Sequence, residues 1–129
     1  LAGLNFGCFL VEVPDGQKVL LDTSLGCLDP PIFPSMRKER KLGDLRHLLR
    51  EAAGLLPEDV NLVVHSHLHR DHTGWNVVPR ETGETEEGNV PRPLFPAAKH
   101  IIQQAEWAYW SSSPSLRSRC AFETNLAPL

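Results

Sequence analysis

His65-Ser66-His67-Leu68-His69-Arg70-Asp71-His72-Thr73-Gly74-Trp75-Asn76 is the densest chemical signal in the chain. Four of six histidines and an aspartate fall within eight residues of it. Crowded imidazoles repel one another's protons and are costly to keep together unless a cation sits among them. The apolar run Leu62-Val63-Val64 leads into the stretch, and Thr73-Gly74 follows. It reads as a metal-ligand loop delivered by a short strand.

His67 and His69 are two positions apart, which on an extended segment places both rings on one side. Two imidazoles converging in this way make half of a zinc site. Asp71 and His72 follow, offering an oxygen and a nitrogen to a second cation. Paired metals in hydrolases lie ~3.5–4 Å apart, and a metal lowers the pKa of its bound water to about 7. The competing readings are a satisfied core network and a structural zinc site. Structural zinc prefers thiolates, and no cysteine lies near the loop.

Working outward, Asn61 to Ser66 read as a strand buried on both faces at Leu62-Val63-Val64. Upstream, residues 4–13 and Lys18 to Thr23 flank the turn signal Pro14-Asp15-Gly16-Gln17 and read as a hairpin. Asp22 at the exit of its second run either points into a site or shapes an Asx-turn. Pro30, Pro31 and Pro34 argue for irregular structure, and Arg37 to Lys41 for a solvated basic run. Leu42, Leu45, Leu49 and Ala52 carry helical spacing over 42–53, with Gly54 placed to end the helix. His47 falls on its polar side.

Downstream, residues 79–93 read as a polar acidic loop rich in proline and glycine. A strand is expected after Pro96, then a short helical segment carrying Trp107, Tyr109 and Trp110, with the aromatics assigned to the core rather than to a substrate platform. Ser111 to Ser115 break that element, and Ala121 to Leu126 are expected to begin another helix.

With 129 residues, 41% hydrophobic and 22% charged, the composition is that of one soluble globular domain or part of a larger one. A net charge of −3 gives no reason to expect nucleic acid or an anionic membrane as partner. No apolar run is long enough to span a bilayer. Cys8, Cys27 and Cys120 are widely spaced and read as small buried hydrophobes in a reduced compartment. The expectation is a cytoplasmic protein, although Leu1 in place of Met leaves room for a lost leader. Oligomeric state is not legible.

His67-Leu68-His69-Arg70-Asp71-His72 resembles the His-x-His-x-Asp-His signature of the metallo-β-lactamase superfamily. Leu20-Leu21-Asp22-Thr23 is similar to that superfamily's strand ending in Asp-Thr-Gly, with Ser24 where glycine is usual. Gly74-Trp75-Asn76, Phe95-Pro96-Ala97-Ala98 and Ala105 to Trp110 resemble a branch that includes N-acyl-homoserine lactonases and methyl-parathion-hydrolase-like enzymes.

The resemblance implies an α/β (α+β) fold, a four-layer αββα sandwich, of which residues 1–129 would be the N-terminal half. It implies that His67 and His69 bind one zinc and that Asp71 and His72 bind a second, with other divalent metals as alternatives. Asp71 would also be catalytic, assisting protonation of the leaving group. Asp22 would hydrogen-bond the metal loop and hold its shape. The implied activity is hydrolysis of a lactone or other ester-like bond in a small molecule by a bridging hydroxide. Thioester, β-lactam and organophosphate substrates, or a degenerate non-catalytic metal-binding or interaction module, are the alternatives. His69 disfavours a diiron redox centre, whose family pattern has glutamate there. His65, in a normally apolar position, either touches the site or is a half-buried structural histidine. The family's later ligands lie well downstream, and His100 is not promoted to fill their place. Residues 1–129 alone are therefore expected to bind metal weakly and to expose an uncovered sheet face.

Overall fold

The computed structural model describes residues 7–26, 44–78 and 91–129. The proline-rich segment, its basic run, Leu42 and most of the acidic loop lie outside them.

Four strands form one sheet in the order β1-β2-β3-β4. β1 (Phe9–Glu12) and β2 (Lys18–Leu21) are the expected antiparallel hairpin. At its turn Asp15 accepts from the Gln17 amide at 3.0 Å, and Gly16 takes a φ of 89°. β3 (Leu62–Val64) pairs parallel to β2, and β4 (Lys99–Ile101) parallel to β3.

α1 (Leu45–Ala53) crosses between β2 and β3 in sequence. It starts later than the periodicity suggests, because the Asp44 carboxylate caps it by accepting from the Arg46 amide. Gly54, at φ 68°, ends it as expected. His47 is exposed on its polar side and pairs with Glu51 at 3.1 Å. A single 3₁₀ turn, Pro57–Asp59, precedes β3.

Strand alternation divides the sheet into two unlike faces. Leu20 and Val63 point to one and are fully buried, packed with Leu45, Leu49, Val60, Trp75, Leu94 and Phe95. Each such side chain contributes about 1.5–3 kcal/mol. On the other face the register aligns Phe9, Leu21, Val64 and Ile101 in one row across all four strands. Phe9 is 73% exposed and Ile101 49%. β3 is thus buried on one face and not on both, which corrects the expectation drawn from its unbroken apolar run. An apolar run records the demand for burial and not its supply within the same segment.

A second cluster lies beyond the strands' C-terminal end. Leu68 packs there with Trp110, Cys120, Phe122 and Leu126. α2 (Arg70–Thr73), α3 (Gln104–Ser111) and α4 (Pro114–Cys120) frame it, followed by one π turn at Phe122–Leu126. α4 occupies the end of a stretch read as a break. Ser113 accepts from the Leu116 amide and Pro114 sits at the first helical position, so the serine-proline pair starts a helix there. Of the three aromatics on α3, only Trp110 is core, while Trp107 and Tyr109 are exposed. Burial pushes the Cys8 and Cys120 thiols above their ordinary range, so neither is poised to react. Among the described residues no helix is long and apolar enough to cross a membrane.

Candidate metal centre

β2 and β3 run parallel and end side by side, so Asp22 and the histidine loop leave the sheet together. The Asp22 amide extends the pairing to the Val64 carbonyl at 2.9 Å. The chain then turns through left-handed backbone at Asp22 (φ 59°) and Ser24 (φ 55°). This segment threads against the end of α2. Thr23 N donates to His72 O at 2.8 Å, and Gly74 N to Ser24 O at 2.7 Å. Buried Thr23 also donates its hydroxyl to Asn76 Oδ1 at 2.8 Å, and Asn76 Nδ2 reaches the Asn125 carbonyl. Gly74 is required where it stands, because a Cβ there would overlap the Leu25 carbonyl group.

Asp22 is the anchor of the loop. Its Oδ1 accepts from the Ser66 amide at 2.8 Å, and its Oδ2 from the Ser66 hydroxyl at 2.7 Å and from His72 Nδ1 at 2.8 Å. Burial pushes the Asp22 carboxyl up, but the bonds from His72 and Ser66 together outweigh it and hold the group below its ordinary range.

These bonds set the tautomers around them. The single Ser66 hydroxyl hydrogen goes to Asp22, so at its 3.0 Å contact with His67 Nδ1 the serine oxygen accepts. His67 therefore carries its proton on Nδ1 and a lone pair on Nε2. His72, donating through Nδ1, is likewise left with a lone pair on Nε2.

Three rings crowd together as a result. The His67 and His72 centroids are 4.0 Å apart, and those of His67 and His69 are 4.6 Å apart. His67 Nε2 faces His69 Nδ1 at 2.9 Å. Asp71 Oδ2 lies 3.5 Å from His72 Nε2. Burial, then the neighbouring His72 and His69, hold His67 below the usual imidazole range.

The donor chemistry fits a zinc-like cation. Two nitrogens on one tetrahedral zinc are about 3.3 Å apart, so the His67–His69 pair at 2.9 Å opens only slightly to admit it. His69 would move its proton to Nε2 as it did so. The fit extends to a pair and no further. Among the described residues, no group of three or more His, Cys, Asp or Glu side chains is disposed to hold an ion.

His65 packs its ring against a different partner. It is 3% exposed, more deeply buried than expected, and stacks on His100 of β4 with centroids 5.8 Å apart. Its Nε2 lies 3.5 Å from His100 Nδ1, while its own Nδ1 has no hydrogen-bond partner. Burial, then the charge of His65, lowers His100 from 6.5 to about 4.

The sequence reading missed Glu106. Its Oε2 accepts from the Leu68 amide at 3.0 Å and from Trp110 Nε1 at 2.9 Å. Only its place in the aromatic segment hinted at this.

A model of the metallo-β-lactamase superfamily matches residues 8–108. The chain belongs to the metallo-β-lactamase superfamily. No curated protein matches it. Among solved structures it is similar to AidC, a dizinc quorum-quenching lactonase in complex with a product, at 25% identity and a TM-score of 0.56 over 82% of this chain. It is also similar to a probable metal-dependent hydrolase from Staphylococcus aureus (19% identity, TM-score 0.57, 84% of this chain). A third neighbour is the hydrolase AbOPH (20% identity, TM-score 0.56, 94% of this chain). The latter two establish the fold alone. The chain spans 29%, 36% and 38% of these three structures, respectively. The superfamily's mixed α/β fold agrees with the four-stranded sheet and its helices.

Proposed function

We propose that this chain carries the first ligand loop of a dinuclear zinc hydrolase. The observation that supports it most is the pair His67 Nε2 and His69 Nδ1, facing each other at 2.9 Å beyond the end of β3. In this reading His67 and His69 hold one ion, and Asp71 and His72 hold the other. Zinc supplies an activated water near neutral pH and polarises the substrate's oxygen.

This chain's own residues do the rest. Asp22 and Ser66 keep the His67 and His72 lone pairs on Nε2. Asp71, next to His72, would take up the proton released by the attacking water and hand it to the departing oxygen. Four side chains are too few for two ions, so we propose that further donors and the substrate pocket come from outside residues 1–129, as in the N-terminal half of an αββα sandwich. The apolar row from Phe9 to Ile101 is the face such a second layer would cover.

The substrate class proposed is a lactone or related ester in a small molecule. Its support is the 25% identity to a dizinc lactonase. The test is hydrolysis of an N-acyl-homoserine lactone, an aryl ester and a phosphotriester by the complete protein. Turnover of the lactone that is abolished by chelation and restored by zinc supports this reading. Zinc-dependent turnover of the phosphotriester alone moves the substrate class, and no turnover of any of them counts against an enzyme.

The second reading is a non-catalytic metal-binding or interaction module. It draws on the lack of a third converged donor among the described residues. A complete protein that binds zinc but hydrolyses nothing on that panel favours it.

A further inference from the structure

We propose that Glu106 is a positioning residue for the metal loop, acting on the side opposite Asp22. The proposal rests on the reading of His67 and His69 as ligands. The loop between them has one residue, Leu68, whose amide is the natural handle for fixing both neighbours. That amide donates to Glu106 Oε2 at 3.0 Å, from a helix thirty-eight positions away in sequence.

The same oxygen accepts from Trp110 Nε1 at 2.9 Å, one helical turn along α3. The Trp110 ring meets the His69 ring edge-on, with centroids 5.2 Å apart and planes at 73°. One carboxylate oxygen thus fixes both the backbone between the two histidines and the aromatic wall beside the second. The Leu68 side chain is fully buried in the same cluster as Trp110, so amide and side chain are held from one direction.

The charge on Glu106 suits this role. A hydrogen bond to an ionised acceptor is about twice as strong as one between neutral groups. Asp22 and Ser66 fix the tautomers of His67 and His72, whereas the Leu68 amide is bound by Glu106. Without Glu106 the Leu68 amide would lose this acceptor, and Leu68 would be held by the packing of its side chain.

The experiment compares Glu106→Ala and Glu106→Gln with wild type in the complete protein. Leu68 amide exchange and the Trp110 Nε1–H resonance are read by NMR without metal, and zinc affinity by chelator competition. Glu106→Ala should speed Leu68 exchange about tenfold, shift the Trp110 resonance and weaken zinc about 10–100-fold. Glu106→Gln, which keeps an oxygen acceptor, should restore most of all three. A merely structural role would lower the melting temperature and leave the zinc affinity of the folded protein unchanged. That result, or unaltered Leu68 exchange in folded Glu106→Ala, overturns the assignment. Wild-type protein that takes up no zinc overturns the metal reading and, with it, the purpose given to Glu106. A zinc-binding wild type with an unaltered variant overturns Glu106 alone.

Discussion

Asp22 and His72 meet at 2.8 Å, carboxylate Oδ2 to ring Nδ1, across fifty positions of sequence. The contact does more than join two segments. It obliges His72 to protonate Nδ1 and so leaves Nε2 as a donor for a cation.

Asp22→Asn tests that consequence. Asparagine tolerates the left-handed backbone at this position and can still accept from the Ser66 amide. Its amide hydrogens would face His72 Nδ1–H, donor against donor, and favour the other tautomer. We expect a folded protein, less stable by about 1–2 kcal/mol, whose zinc affinity falls about 10–100-fold. Urea unfolding and chelator competition measure the two effects.

Ser24 and Gly74 test the backbone beneath the site. Ser24 holds φ 55° where the superfamily pattern has glycine. Left-handed backbone costs a residue with a Cβ about 1–2 kcal/mol, and the extra chain entropy of glycine costs about 0.5–1 kcal/mol. Ser24→Gly should therefore relieve up to about 1 kcal/mol of backbone cost, set against whatever the serine side chain contributes. Gly74→Ala should destabilise by more than about 2 kcal/mol, because the new methyl meets the Leu25 backbone rather than a flexible side chain. Thermal unfolding of both variants decides.

His100 predicts a pH dependence of stability. Its folded pKa of about 4 lies below its ordinary 6.5, through burial and then His65. Between those values the unfolded chain binds more protons than the folded one, so stability rises with pH across the window. The contribution is fully present above pH 6.5 and is lost as pH falls toward 4. His65, just past the end of β3, stacks on His100 and is itself held low by burial, so His100→Phe should flatten the slope without removing it all. Chemical denaturation from pH 4 to 7 measures it.

The exposed row on the sheet predicts a difference in context. Ile101→Lys should cost residues 1–129 less than about 0.5 kcal/mol, because its side chain already meets water. In the complete protein, with the proposed second layer present, the same change should cost about 2 kcal/mol or more. Equal effects in the two settings would count against a covering layer there.

Much of this architecture was legible because it is local. Pro14 to Gln17, Gly54 and the alternation through Leu20 act within a few residues, and the hairpin, the end of α1 and the core face follow from them. The histidine spacing likewise named the superfamily. What stayed hidden depends on partners distant in sequence. Nothing near Leu68 announces Glu106, and nothing near His65 announces His100. The two exposed aromatics of α3 read as core in the sequence, because composition records hydrophobicity and not which side of a short helix meets a neighbour. The serine run Ser111 to Ser115 reads as a break, and the helix start at Ser113-Pro114 within it was missed.

The central claim is that His67, His69, Asp71 and His72 hold metal, and the zinc content of the purified complete protein tests it most directly. Wild type should carry about two zinc ions per chain, with the content dropping to one or none in His67→Ala and Asp71→Ala while both variants remain folded. Wild type without metal above trace, or variants that keep the full complement, would contradict it.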